Sequence, residues 1–285
     1  VSRQLTTRLA LLCFFSFVEP VQTANEMHLR GRDAALKSGD VSNAMLNSLF
    51  FCLNLFWCGT KLSIVKEAFA QASPFMEQHN LLTLLNYLKP MQQNISLLVD
   101  GSASIVDCKT LFAHNLRTFY FQQMYGAFVF RRYNDTESAA EKYIDHHELK
   151  SCILLFLNVP QEFHFGLISF WLQRKSPDGY KWAERGSTSV ARLREWASSC
   201  SQWNFQNKVF LLEAEEQYCN ANFDLAKLSY DKAISSAREH RFLNEEALAC
   251  ELAGYFYLET GDRIRSSQYF ARSRLKYIEW GALAK

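Results

Sequence analysis

Glycine and proline are scarce in this chain, with 11 Gly and 5 Pro among 285 residues. An all-β sandwich needs many turns and a doubly wound α/β sheet needs glycine-rich loops, so the composition disfavours both. The sequence also lacks G-x-x-x-x-G-K-[ST] and G-x-G-x-x-G, and so has no phosphate-binding loop of its own. With 48% apolar and 21% charged residues, the chain can bury a large core in one or two domains, and we expect these to be helical.

An excess of charge of one sign is also absent, because 31 Lys and Arg face 29 Asp and Glu. We therefore expect no nucleic-acid partner. Arg3 and Arg8 precede the apolar run Leu9–Val18, as in a signal peptide. However, the run is too short to span a bilayer and is followed by an acidic residue and a proline instead of a cleavage site. The sequence predicts a buried helix over Leu5–Val18, no membrane association and a cytoplasmic location.

No C-x-x-C pair occurs, which excludes the common zinc patterns. A chain of this size with an apolar core needs no disulfide framework, and apolar surroundings raise the pKa of a thiol. We expect reduced, buried and unreactive cysteines. There are eight of them: Cys13, Cys52, Cys58, Cys108, Cys152, Cys200, Cys219 and Cys250.

Residues that could carry acid–base or metal chemistry are few. Asp145-His146-His147-Glu148 is the densest set, but adjacent residues on a helix point in different directions, so a solvated surface is the better interpretation. His114 and His164 lie in apolar segments, where a histidine is more often a hydrogen-bonded core residue than a catalyst. The sequence predicts no catalytic residue, no metal site and no cofactor, and hence no enzyme in this chain.

Apolar residues recur at spacings of three and four from Asn207 to Trp280, which is typical of amphipathic helices. Short links between the segments predict antiparallel hairpins. The predicted helices are Phe205–Cys219, Asn222–His240, Asn244–Glu259 and Asp262–Glu279.

A shift of 40 residues superimposes the second of these hairpins on the first. Small residues let the two helices of a hairpin approach closely, and an aromatic side chain fills the gap between hairpins. This spacing resembles a tetratricopeptide repeat, although the Trp, the first-helix Leu and the terminal Pro of the strict pattern are missing. The repeat signature consists of Ala214, Ala226, Tyr230, Ala233, Gly254, Tyr257, Ser266, Phe270 and Ser273.

The same pattern recurs less clearly upstream, after Gly39-Asp40 and after Asn134-Asp135. We therefore predict repeat-like helices along most of the chain, with loops at 100–104 and 175–189. The domains predicted are an N-terminal helical-repeat subdomain at 1–174 and C-terminal tetratricopeptide-like hairpins at 190–285, separated by the loop 175–189. Further helices are predicted at Pro20–Lys37, Val41–Trp57, Lys61–Gln78, Leu81–Leu98, Asp107–Arg131 and Gln161–Gln173.

The last 95 or so residues resemble a known family. Its members are large multidomain sensor histidine kinases or serine/threonine kinases, in which tetratricopeptide-like repeats follow an AAA-type ATPase module and precede GAF and kinase domains. The chain begins at Val1 and stops at Lys285 within a helical pattern, which predicts a fragment. The residues that carry the resemblance are Leu193, Trp196, Asn204-Phe205, Leu212 with Glu213-Ala214-Glu215, Glu245-Glu246-Ala247-Leu248-Ala249, Glu251-Leu252-Ala253, Phe256-Tyr257-Leu258, Gly261, Tyr269, Arg274, Tyr277, Trp280-Gly281-Ala282 and Ala284-Lys285.

The resemblance implies an all-α superhelix of antiparallel helical hairpins, a tetratricopeptide-like α-solenoid. It also implies that this segment is a non-catalytic regulatory or protein-interaction module, with the ATPase before it and the sensor and kinase domains after it. Its partners would be another protein or the flanking domains, with a small-molecule effector as a further option. Two alternatives stay open: a superhelix that senses a small ligand near Phe119–Phe130, and a free-standing scaffold. An enzyme would need His114 or His164 to meet a carboxylate.

Overall fold

The computed structural model describes residues 17–102, 111–146, 158–176 and 179–285. These residues form twelve α-helices and no β-strand, which confirms the prediction of an all-α fold. The helices are α1 (Ala24–Lys37), α2 (Val41–Trp57), α3 (Leu62–Gln78), α4 (Leu82–Asp100), α5 (Ala113–Val129), α6 (Tyr133–Asp145), α7 (Asn158–Lys175), α8 (Gly179–Ser199), α9 (Gln202–Cys219), α10 (Phe223–Glu239), α11 (Leu243–Glu259) and α12 (Arg263–Trp280).

The helices divide into two compact units. The first unit contains α1 to α6 together with the last five residues, Gly281–Lys285, and the second contains α7 to α12. In each unit, consecutive helices pack as pairs: α1 with α2, α3 with α4 and α5 with α6, then α7 with α8, α9 with α10 and α11 with α12. In the second unit α9 also packs against α7, so successive pairs share an interface.

The links inside the pairs have one backbone design, except that the link between α7 and α8 lies partly outside the described residues. The middle residue of the link has a positive φ, as at Gly39 (74°), Ala221 (58°) and Gly261 (91°). The next amide then donates to the carbonyl five residues earlier, as Asp262 N does to Tyr257 O at 2.8 Å. This is the left-handed helix end that satisfies the last carbonyls of a helix and reverses the chain.

The Gly-Asp pairs noticed in the sequence explain two of these links. Glycine adopts the left-handed conformation without strain, and the aspartate caps the following helix. The Asp40 carboxylate accepts from the Asn43 amide at 3.1 Å, and the Asp262 carboxylate accepts from the Arg265 amide at 3.0 Å. A Gly-Asp pair therefore ends one helix and starts the next.

The prediction of a loop at 175–189 is wrong, because α8 begins at Gly179 and ends at Ser199. Gly186, which the sequence assigns to that loop, lies inside α8, where an added Cβ would come within 2.6 Å of the Phe170 ring. Glycine is present at this position because two helices approach closely. The predicted subdomain boundary is wrong as well, because α7 and α8 form one hairpin and the chain divides before α7.

The last five residues complete the first unit. The Ala284 amide donates to the Leu98 carbonyl at 3.0 Å, and the Lys285 ammonium lies 5.9 Å from the centre of the Phe130 ring. Of the helix predicted at Leu5–Val18, only Phe17 and Val18 lie within the described residues. No helix in the described ranges is both long and apolar enough to cross a membrane.

The 40-residue shift places Ala221 on Gly261, and both have a positive φ. We expect Ala221→Gly to stabilise the second unit by up to about 1 kcal/mol, because alanine is strained in this conformation. Gly261→Ala should destabilise it by about 1 kcal/mol, and no atom within 4 Å would add a steric contribution. Urea unfolding of both variants checks the two signs, and a change of the same sign in both would contradict the assignment.

Candidate functional site

The nine residues of the repeat signature lie inside the second unit. Eight of them are buried and Phe270 is half-buried. An added Cβ on Gly254 would come within 2.7 Å of the Phe270 ring, and the ring of Tyr257 stacks on that of Tyr269 at 5.2 Å. The Ser273 hydroxyl donates to the Ala247 carbonyl at 2.9 Å. In the hairpin of α11 and α12 the signature therefore marks the interface between the two helices.

A large and a small residue meet across three helix pairs at one sequence separation. Gly254 contacts Phe270, Gly186 contacts Phe170, and in the first unit Gly31 contacts Asn47. In each pair the two residue numbers differ by 16. In the pair of α9 and α10, Ala214 and Tyr230 stand at this separation and both are buried. One hairpin geometry therefore recurs with different side chains.

The order of the large and small residues is reversed in the first hairpin of the second unit. There the first helix carries Phe170 and the second carries Gly186, whereas in the third hairpin the first helix carries Gly254 and the second carries Phe270. The total volume at the crossing is similar in both orders, which is what close packing requires. A search for small residues on the first helix misses this hairpin, although a 16-residue spacing between Gly and Phe reveals it.

Enlarging Gly254 tests this contact directly. Gly254→Ala should lower the free energy of unfolding by about 1–3 kcal/mol, because the new methyl group overlaps the Phe270 ring. Combining it with Phe270→Ala removes the overlap, so the double variant should lose at least about 1 kcal/mol less than the sum of the single changes. Urea unfolding of the four proteins measures this coupling. Costs that add to within about 0.5 kcal/mol would show that the residues do not touch.

A buried ion pair links the first helices of two hairpins. The Arg174 guanidinium of α7 lies 2.6 Å from the Glu215 carboxylate of α9, and the Tyr230 hydroxyl donates to the same carboxylate at 2.5 Å. The Arg174 guanidinium also lies 4.3 Å from the centre of the Tyr218 ring. Burial, with Glu215 nearby, raises the pKa of Tyr230 well above its ordinary value. The Glu215 carboxylate is thus fully engaged by Arg174 and Tyr230.

A second buried ion pair links the next two first helices. The Lys208 ammonium of α9 lies 2.9 Å from the Glu245 carboxylate of α11, and the Asn207 amide donates to that carboxylate. The Lys208 ammonium also donates to the Asn204 carbonyl at 2.9 Å and lies 4.0 Å from the centre of the Phe242 ring. The successive first helices α7, α9 and α11 are therefore joined by one cation–carboxylate pair at each step.

Two further carboxylates of α11 are buried and paired. Glu246 lies 2.8 Å from the Arg238 guanidinium of α10 and 3.4 Å from the Lys276 ammonium of α12. Glu251 accepts from the Tyr277 hydroxyl of α12 at 2.7 Å. Removing one partner of such a buried pair leaves an uncompensated charge, so each pair is specific to the arrangement of its helices. In the sequence these glutamates look like ordinary polar helix positions, and no sequence signal distinguishes them from solvated ones.

Within the described residues, the thiols of Cys52 and Cys219 and the imidazole of His164 are held in structural surroundings. Burial raises the pKa of Cys52 to about 12 and that of Cys219 to about 11, so these thiols stay protonated at neutral pH. Cys52, Cys58 and Cys250 are buried as predicted, whereas the prediction of burial is wrong for Cys200 and Cys219, which are half-buried. His164 shares a hydrogen bond of 2.7 Å with the Pro160 carbonyl, through its Nδ1. His114 lies in α5, and its side chain is outside the described part, as are His147 and Glu148. Among the described residues no group of His, Cys, Asp and Glu could hold a metal ion.

Two buried histidines make the stability of the chain depend on pH. Burial lowers the pKa of His28 in the first unit and of His164 in the second to about 4, from 6.5. Between these pH values the unfolded chain binds protons that the folded chain does not. The stabilisation is therefore complete above pH 6.5 and is lost as the pH falls towards 4.

Replacing either histidine should flatten this dependence. For His28→Gln or His164→Gln we expect the slope of the unfolding free energy between pH 6 and 5 to fall by about 1 kcal/mol per pH unit. Urea unfolding monitored by tryptophan fluorescence measures the slope. Trp57 reports on the first unit and Trp182 on the second. An unchanged slope in both variants would show that neither histidine is held neutral by burial.

A cleft of about 220 Å³ opens on the first unit, between α1, α2 and α3. Its walls are mainly apolar, and the ion pair of Arg32 and Asp33, at 2.9 Å, lies at its edge. This cleft is not near Phe119–Phe130, where a pocket would have favoured the ligand-sensing alternative: Phe119, Phe121 and Phe128 are buried core residues of α5. The cleft is lined by Arg32, Asp33, Leu36, Met45, Ser48, Phe51, Cys52, Ala68, Gln71, Ala72 and Phe75.

The solvent-facing sides of the second helices hold most of the accessible apolar groups of the second unit. Leu225 and Leu228 of α10 are exposed, and so are Ile264, Leu275 and Ile278 of α12. The first helices α9 and α11 are instead buried along most of their length. The second helices therefore present most of the exposed large apolar side chains of the described part of this unit.

Comparison of the chain with protein-family models, with curated proteins and with solved structures finds no match. The features of the chain that bear on its function are therefore those of its own sequence and geometry. That geometry consists of repeated hairpins, paired buried charges and exposed apolar side chains on the outer helices.

Proposed function

We propose that the chain is a non-catalytic protein-interaction and regulatory module, and that its second unit is a tetratricopeptide-like array. The observation that carries this proposal is the size-matched contact at a separation of 16 residues, between Phe170 and Gly186 and again between Gly254 and Phe270. A repeated contact of this kind is what a stack of like hairpins requires, because each hairpin buries a face that it cannot cover alone.

The buried charges support a mechanical role for the array. Each step along the first helices is held by a cation–carboxylate pair, Arg174 with Glu215 and Lys208 with Glu245. Such pairs favour one arrangement of the helices over others. A partner bound to the exposed second helices would meet a fixed surface, and its binding energy could then shift the arrangement of whatever domains flank the array.

The setting that we propose for this module is a cytoplasmic signalling kinase. The support for it is the resemblance of the last 95 or so residues to the repeat region of ATPase-coupled sensor kinases. In such a protein the ATPase and kinase activities belong to other domains, and this chain would couple them.

A second candidate function is the binding of a small effector by the first unit. The cleft between α1, α2 and α3 favours it, because its walls combine the apolar side chains of Met45, Phe51 and Phe75 with the charges of Arg32 and Asp33. Concave, mainly apolar sites with a few polar groups are typical of small-ligand binding. In this role the first unit would act as the sensor and the second as the transmitting array.

The mass of the natural polypeptide and the motifs on either side of this segment test the proposed setting in a signalling kinase. We expect its mass to be several times 33.0 kDa, with an ATPase motif before the segment and kinase motifs after it. Mass spectrometry of the protein from its source cells, with sequencing of the transcript, measures both. A complete natural product of only 33.0 kDa would contradict the kinase setting and leave a free-standing scaffold.

Within that polypeptide, Gly254→Leu should disrupt the third hairpin, because the new side chain overlaps Phe270. We expect regulated autophosphorylation to be lost while basal activity is retained, since the catalytic domains lie elsewhere. Leu258→Ser, at an exposed position of the same first helix α11, is the matched control. Unaltered regulation in the Gly254 variant would contradict a coupling role.

A further inference from the structure

The outer face of α12 carries an apolar stripe that no helix of the described part covers. Ile264, Ala271, Leu275 and Ile278 follow one another at spacings of seven, four and three, which places them on one face of the helix. Ile264 is 76% exposed, Leu275 64% and Ile278 44%. The stripe extends over about 21 Å, at 1.5 Å per residue, which is the length of a helix–helix contact.

Arginines flank this stripe on both sides. Arg263 and Arg274 are separated by three helical turns and lie along one edge, and Arg272 lies along the other. All three are exposed, and Arg272 lies over the Tyr269 ring at 5.1 Å. Within the described ranges neither Arg263 nor Arg274 takes part in an ion pair. The edge with Arg263 and Arg274 is therefore a cationic border that is available to an anionic partner, whereas the edge with Arg272 also carries Glu279, which pairs with Lys276.

In the preceding hairpin, one face of the second helix, α10, packs against the next helix, α11. On α10, the rings of Phe223 and Tyr230 lie 6.1 Å and 5.4 Å from the ring of Phe256 on α11, and Arg238 binds Glu246 of α11. A shift of 40 residues moves Phe223, Tyr230 and Arg238 onto Arg263, Phe270 and Ile278. The face of α12 that matches the α11-binding face of α10 therefore borders the exposed stripe.

The helix that packs against α10 is α11, which combines buried carboxylates with apolar side chains. α11 presents Glu245, Glu246 and Glu251 among apolar residues, and cations or hydroxyl groups of its neighbours meet all three carboxylates. An acidic, apolar helix is thus the kind of segment that this array already accommodates. On α12 the exposed cations Arg263 and Arg274 stand at positions that α10 fills with Phe223 and Ile234, and no acidic helix of the described part meets them.

We propose that the outer face of α12 docks an amphipathic helix of a partner protein that carries carboxylates on either side of its apolar stripe. The partner's apolar side chains pack on Ile264, Leu275 and Ile278, and its carboxylates form paired hydrogen bonds with Arg263 and Arg274. The proposal rests on the interaction role proposed above and names the chemistry of the partner.

A pair of synthetic helical peptides serves as the probe. Each has 18 residues with leucines at i, i+3, i+4 and i+7 spacings. One carries glutamate on both sides of the leucine stripe, and the other carries lysine at the same positions. Fluorescence anisotropy with the whole chain should show at least tenfold tighter binding of the glutamate peptide, and this preference should shrink as salt is added.

Variants of the stripe and its border separate the two contributions. Arg263→Glu with Arg274→Glu should reverse the preference, so that the lysine peptide binds more tightly. Leu275→Asp with Ile278→Asp should weaken binding of the glutamate peptide at least tenfold. The matched control is Leu225→Asp with Leu228→Asp, which changes two exposed leucines of α10 and should leave binding within twofold. Circular dichroism and urea unfolding confirm that each variant is folded.

Three outcomes would overturn the proposal. In the first, both peptides bind equally or neither binds. In the second, the chain binds vesicles of anionic phospholipid through Arg263 and Arg274 but not the glutamate peptide, and the face is then a membrane contact. In the third, the chain self-associates at micromolar concentration and Leu275→Asp abolishes this, so that the occupant is a second copy. None of these results alters the mass or flanking motifs of the natural polypeptide, which test the kinase setting separately.

Discussion

The close approach of two paired helices at one fixed point is the constraint on which the hairpins of this protein depend. At that point only one of the two helices can carry a large side chain, as Phe270 faces Gly254 and Phe170 faces Gly186. The separation of 16 residues then fixes the length of helix on either side of a short link, and the left-handed residue in the link reverses the chain. Local backbone geometry and side-chain volume therefore select the same hairpin.

The sequence predicts this constraint where the small residue stands on the first helix. Ala214 and Gly254 stand at equivalent positions of a 40-residue repeat, so the hairpins of α9 to α12 follow from the pattern. The hairpin of α7 and α8 does not, because Phe170 and Gly186 occupy the reversed positions and glycine in a helix has the same sequence signature as glycine in a loop. The packing at a crossing depends on the combined volume of two side chains, one from each helix. A pattern along one helix shows only one of these two side chains.

The buried charges could not be predicted for a different reason. Glu215, Glu245 and Glu251 occupy helix positions whose periodicity matches either a solvated or a packed face, and a carboxylate normally indicates solvent. What makes burial tolerable is a partner on another helix, such as Arg174 or Lys208, at a sequence distance that no local pattern encodes. The stripe of α12 is the opposite case, in which apolar residues are exposed. The periodicity predicts an amphipathic helix, but it does not predict which face of that helix stays uncovered.

The position of the last five residues has a consequence for the order in which the chain folds. Ala284 is hydrogen-bonded to Leu98 of α4, so the first unit incorporates residues that leave the ribosome after all six helices of the second. During synthesis α1 to α6 therefore emerge early, but the first unit stays incomplete. In the sequence the second unit is an insertion between α6 and the last five residues of the first unit. The second unit can complete its fold first, and the N-terminal helices reach their final packing only when synthesis has passed Gly281–Lys285.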